Sequence, residues 1–165
     1  MQRSQKKSKN IMFLSILGAI VVIVVGAFIL YSRAKSPMVT AEKEAVTIAK
    51  KYANLDKESE FYRYNRDATY FTVAGTTKAN KKIYVIVAQK GGKVKVLTQA
   101  NGKSKNDILT YIWDKKSPSK ILNIGLGIYN DVPAWEVSYL NKKKELSYET
   151  IQFSDGKVLK SVENI

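Results

Sequence analysis

Residues 11–31, IMFLSILGAIVVIVVGAFILY, contain no charged side chain, and no other feature limits so strongly what this chain can fold into. As a helix rising about 1.5 Å per residue, the run spans roughly 30 Å, the thickness of a bilayer's hydrocarbon core. Gly18 and Gly26 would weaken a helix in water. Lipid forces internal backbone pairing, however, and glycine is common in spanning helices. A core helix of a soluble protein would carry a polar face over such a length. A cleaved secretory signal is the closer alternative, and the basic start (Arg3, Lys6, Lys7, Lys9) suits one. The run is longer than the usual signal core of about 7–15 residues, and Ser32-Arg33-Ala34-Lys35-Ser36-Pro37 offers no small-x-small cleavage site.

The expectation is therefore an uncleaved signal-anchor at 11–31, a cytoplasmic tail at 1–10 and a short stem at 32–38. The basic residues before the span outnumber Arg33 and Lys35 after it, which places the N-terminus in the cytoplasm and the C-terminal part outside the cell membrane. Cysteine is absent, which excludes lipoprotein processing, disulfides and thiolate sites. Histidine is absent too, which removes Ser-His-Asp and Cys-His nucleophile systems and most zinc sites. A lysine- and asparagine-rich, disulfide-free ectodomain fits a thick-walled bacterium. The formal charge is +14, and six of the basic residues precede position 36, so the outer part stays near +8. Such a field suits an anionic membrane or wall polymer, and equally a solvated lysine-rich surface.

Beyond the stem, helix and strand signals alternate. Ala41, Ala45, Ile48, Ala49 and Tyr52 form one stripe of a helix over 40–55 that Thr40 can cap. β-prone runs follow at 61–64, 70–76, 83–89 and 93–98, with turns at Asn80-Lys81 and Gly91-Gly92. The same order then returns. Ser104 and Asp107 have capping-box spacing, Ile108, Leu109, Ile112 and Trp113 form an apolar helical face, and Ser117-Pro118 ends the helix. Strand-like runs occupy 121–128, 134–140, 145–153 and 157–162. The halves superimpose at a constant offset of 64 residues without a gap, pairing Ile48 with Ile112, Asp67 with Asp131, Phe71 with Trp135 and Tyr84 with Tyr148. Helix face, turn glycine and strand parity coincide, which predicts an internal duplication, with repeats at 39–101 and 102–165 that share an interface.

The residues offer little chemistry. A pair of carboxylates could serve glycoside hydrolysis without histidine. Asp155-Gly156, however, has the composition of a tight turn, and Glu136 alternates with Trp135 and Val137, which points it to the opposite, solvated face. No catalytic residue, cofactor or metal site is expected, and the chain is read as not an enzyme. Lys142-Lys143-Lys144 can bind a phosphate-rich polymer or simply keep a hairpin loop soluble. Nucleic acid is not expected outside a membrane. Tyr62, Tyr64, Tyr70, Tyr129, Trp135 and Tyr139 lie in or beside strands, as core, repeat junction or interface anchors. In the loop Tyr129 to Pro133, the residues Tyr129, Asp131 and Pro133 are the candidates for partner binding.

Val132-Pro133-Ala134-Trp135-Glu136-Val137-Ser138-Tyr139, with Tyr148 and Phe153-Ser154-Asp155-Gly156-Lys157-Val158, resembles the YpmB/TseB-like family of Gram-positive cell wall elongation regulators. The first half departs from this motif, with Gly91 where Asp155 stands and Phe71 where Trp135 stands. The resemblance implies an α+β fold: one transmembrane helix, then two tandem cystatin-like, PepSY-like units, each a helix on an antiparallel sheet. It also implies a non-enzymatic partnership with a penicillin-binding protein. Two alternatives stay open, an inhibitor or propeptide-like modulator of an extracytoplasmic protease and a binder of anionic wall polymer.

Overall fold

The computed structural model describes the backbone of residues 3–165 and the side chains of 16–28, 31 and 38–165. The chain divides into two compact units, residues 1–40 and 41–165. Helix α1 (Arg3–Ala53) runs through the described residues of the first unit and into the opening segment of the second. A helix starting at a Thr40 cap is therefore corrected: α1 already runs through that position. Extending a helix adds a hydrogen bond per residue, whereas a fresh nucleus is costly, so two adjoining helical segments merge.

In the first unit the described apolar side chains lie in the open, Val22 71% and Phe28 69% exposed. Among the described residues no helix is long and apolar enough to cross a membrane. The expected span at 11–31 falls partly outside those residues, as do the side chains of the tail at 1–10 and of most of the stem.

The second unit holds two four-stranded antiparallel sheets. Asn54, in the left-handed conformation, turns the chain out of α1 into β1 (Leu55–Asn65). There follow β2 (Thr69–Thr77), β3 (Lys82–Ala88) and β4 (Val94–Thr98), in the order β1-β2-β3-β4. A short 3₁₀ turn leads to α2 (Lys105–Lys116), opened by the expected capping box of Ser104 and Asp107. Then come β5 (Lys120–Tyr129), β6 (Val132–Leu140), β7 (Leu146–Gln152) and β8 (Val158–Val162), again in sequence order. The charged start of β1 lies before the β-prone run expected at 61–64, yet it pairs with β2 through two register shifts. Charges and irregularities of this kind suit an edge strand.

Every pair in the β2–β3 ladder, from Tyr70↔Ala88 to Thr76↔Lys82, has its counterpart 64 residues on in the β6–β7 ladder. The gapless superposition fails at the hairpin before it. The β1–β2 ladder closes at Asn65↔Thr69, around three loop residues; the β5–β6 ladder closes at Tyr129↔Val132, around Asn130 and Asp131 alone. Both have positive φ, as a two-residue hairpin turn of the primed kind requires. The shorter turn moves β5 by one residue against β1.

Ala45 and Ala49 of α1 pack on Phe71, Val73, Ile83, Val85 and Val87, one face of the first sheet. Ile48 is half-buried in this contact, and Tyr52 is 63% exposed rather than part of the stripe. The opposite face does not meet water. Its Ala74, Tyr84 and Ile86 join Tyr62, Trp135, Val137, Ile151 and α2's Ile108 and Ile112 in a second core. Trp113 was expected on that helix face but is 49% exposed. It follows Ile112 by one position, about 100° round the helix, and so lies past the edge of the buried stripe. The sheets approach closely where β1 crosses β5. A Cβ at Gly125 would strike the Arg63 carbonyl, and one at Gly127 the Tyr64 ring.

Candidate functional site

Antiparallel hairpins bring their tips to chosen ends of a sheet, and here the β1–β2 tip meets the second sheet. Arg66, in the first loop, donates from Nη1 to Glu136 Oε2 (2.8 Å) on β6 and to Thr150 Oγ1 (2.6 Å) on β7. Its guanidinium also lies over the Tyr129 ring, 5.0 Å from the centroid. One arginine thus ties the first hairpin tip to three strands of the other sheet.

Glu136 therefore does not face solvent. Its side chain is 13% exposed. Strand alternation correctly opposes it to Trp135 and Val137, but cannot reveal that another hairpin covers that face. Burial pushes the Glu136 carboxyl up, the Arg66 charge and hydrogen bond pull it back, and Asp67 adds to the rise. Tyr64 lies in the same contact, its hydroxyl pushed up by burial first and by Glu136 next. Its hydroxyl is buried without a partner.

The three candidate residues sit around this clamp in different ways. Tyr129 is half-buried beneath Arg66. Asp131 is exposed at the tip of its turn. Pro133 is half-buried as the second residue of β6, and its carbonyl accepts the Phe153 N–H at 2.9 Å. The structure brings Tyr129 and the clamp together, while Pro133 serves the sheet. Arg66 was missed because a lone arginine in a polar loop carries no pattern; only a buried carboxylate elsewhere demands such a partner. Beside the first tip a cleft of about 430 Å³ is lined by Asp67, Thr69, Tyr70, Gln89, Lys90 and Lys93 among others.

Asp155, Glu60 and Glu149 have structural partners. Asp155 is exposed in the β7–β8 turn, where Oδ1 accepts the Lys157 N–H (3.0 Å). Glu60 accepts from the Tyr62 hydroxyl and pairs with Lys105 at 3.2 Å. The Tyr62 hydrogen bond leads in holding its carboxyl low, against burial, with Lys105 adding to the fall. Glu149, fully buried, pairs with Lys116 at 2.7 Å. Among the described residues no group of three or more acidic side chains converges as a metal site would require.

Trp135 is at the centre of the junction. Its ring meets Tyr62 at 5.2 Å and Tyr84 at 5.5 Å, both edge to face, and Nε1 donates to the Lys103 carbonyl (2.8 Å). Trp135, within the family-like motif of the second half, is therefore a joint between sheets, not a surface.

Residues 44–88 match the family model described as "Cell wall elongation regulator TseB-like domain". The chain is 30% identical over 159 residues to the probable cell wall elongation regulator TseB of Bacillus subtilis (strain 168), covering 94% of this chain and 98% of that protein. The solved YpmB protein from Bacillus subtilis superimposes with a TM-score of 0.63 at 29% identity, over 73% of this chain and 95% of that one. With 30% identity over 94% of its length to a TseB regulator and a matching family model within it, this chain belongs to the TseB-like family of cell wall elongation regulators.

Proposed function

We propose that this protein regulates cell wall elongation without catalysis, as a membrane-anchored extracellular module that binds a penicillin-binding protein through its clamped hairpin tips. The observation carrying the contact is the Arg66 clamp, which fixes the first hairpin tip over Tyr129, next in sequence to the exposed Asn130-Asp131 turn. A pre-positioned tip loses little freedom on binding, and tyrosine and arginine are the usual interface anchors. Anchoring is supported by the uncharged run at 11–31 and by the exposed apolar side chains described within it. The matching central ladders support two tandem PepSY-like units at 39–101 and 102–165.

A photo-crosslinking residue at Asp131, in growing cells of the source bacterium, should capture a penicillin-binding transpeptidase, and one at Lys78 should not. Recovery of no such enzyme from Asp131, or equal recovery from both, overturns the partner. Topology is read separately. A cysteine at Lys143 should react with a membrane-impermeant thiol reagent and one at Ser4 should not; the reverse pattern overturns the compartment.

A further inference from the structure

A second surface, outside the clamp, is built from the end of α2, the β6–β7 turn and the C-terminal segment. A groove of about 370 Å³ is lined there by Lys115, Lys116, Ser117, Asn141, Lys142, Lys143, Glu145 and Asn164. The turn is rigidly made. Asn141 Oδ1 accepts the backbone N–H groups of Lys143 (2.8 Å) and Glu145 (3.0 Å). Its amide donates to Glu145 Oε2 (2.8 Å) and Asn164 Oδ1 (3.1 Å). Ser119 Oγ donates to the Asn141 carbonyl at 2.8 Å.

The charges around the groove divide into used and unused. Lys116 is neutralised by Glu149 and Glu163, at 2.7 and 2.6 Å. Lys115, Lys142 and Lys143 are exposed and take part in no ion pair among the described residues. Glu145, the carboxylate in the lining, is occupied by Asn141. The negative end of α2 is offset by its own last-turn lysines.

We propose that this groove binds a phosphodiester-linked polyol, the repeating polyanion chemistry of a wall polymer. Two unpaired ammonium groups on the fixed turn and a third at the end of α2 match phosphates, and the Ser117 hydroxyl and the free Asn164 amide hydrogens match the hydroxyls between them. The binding is independent of the hairpin tips and of the protein partner proposed there.

The test uses the full chain in neutral detergent micelles and a labelled synthetic poly(glycerol phosphate) oligomer, titrated at low and at physiological salt. Lys115→Gln/Lys142→Gln/Lys143→Gln should weaken binding roughly tenfold and flatten its salt dependence, each lost exposed pair contributing a few-fold. Lys78→Gln/Lys81→Gln/Lys82→Gln, an equal charge change on the β2–β3 hairpin, should weaken it less than about twofold. Lys142→Gln alone should give an intermediate loss, which keeps the test readable if the triple variant unfolds. Equal losses from the two triple variants would mean that only the overall charge acts, and would overturn the site. So would absence of wild-type binding, or a groove-dependent binding to phosphatidylglycerol vesicles as tight as to the oligomer.

Discussion

The two sheets share a central ladder and use it differently. Val85 of β3 and Glu149 of β7 occupy the same place in their ladders, each opposite a valine. Val85 joins an apolar core under α1, whereas Glu149 is buried against Lys116 from the end of α2. Phe71 and Trp135 differ in the same way. Phe71 stacks on Phe61 within its own sheet at 5.9 Å, while Trp135 reaches across to tyrosines of the other. A shared backbone register therefore leaves the side-chain chemistry free to diverge, with the buried Glu149 charge met by Lys116.

The largest expected effect tests the junction. Trp135→Ala should cost about 3–5 kcal/mol in urea unfolding, at the top of the range for an aromatic core truncation, and Phe71→Ala should cost less. An equal cost at the two positions would remove the distinction between joint and single-sheet core. The ion pair comes next. Lys116→Ala strands the buried Glu149 carboxylate and should cost about 3 kcal/mol, whereas Lys116→Met with Glu149→Val should come close to wild type. If the double variant is as unstable as the single one, the second half needs its charges in a way the first does not.

The clamp gives a smaller, pH-dependent effect. The Glu136 carboxyl is raised by burial, so the stability it contributes is fully present below its unfolded pKa and is lost as pH rises through the folded value. Removing Arg66 raises that carboxyl further. Arg66→Ala should thus cost about 2 kcal/mol at neutral pH, less in mildly acidic buffer, and Glu136→Gln should largely restore it. A loss independent of pH in the unfolding midpoints would mean that packing on Tyr129 dominates. Gly127→Ala, which drives a methyl into the Tyr64 ring, should cost about 1–3 kcal/mol, and the same change at exposed Gly91 should show mainly the strain of its positive φ. Smallest of all, Asp155→Asn, whose amide oxygen can still accept the Lys157 N–H, should leave stability within about 0.5 kcal/mol and cell elongation normal. Abolished elongation at unchanged protein level would return attention to an acidic active site.

The α2 cap, the turn at Asp155-Gly156 and the strand order were legible because each depends on residues a few positions apart. So was the 64-residue ladder correspondence, since strand parity and turn chemistry are written locally. The one-residue shift of β5 was hidden because sequence identity across a hairpin does not report how many residues its loop uses. The clamp was hidden for a stronger reason: Arg66, Glu136 and Thr150 are separated by up to 84 positions, and no local rule connects them.

By itself the sequence determined the family, the helix-then-meander order of each half, and the lack of histidine and cysteine chemistry. These follow from period, capping and composition, which act over a turn or two of chain. Only the tertiary structure decided that the second face of the first sheet is buried, that Glu136 is covered, and that Trp135 joins two sheets. Those outcomes depend on which surfaces meet, and that is set by close approach at Gly125 and Gly127 and by apolar area buried between the sheets.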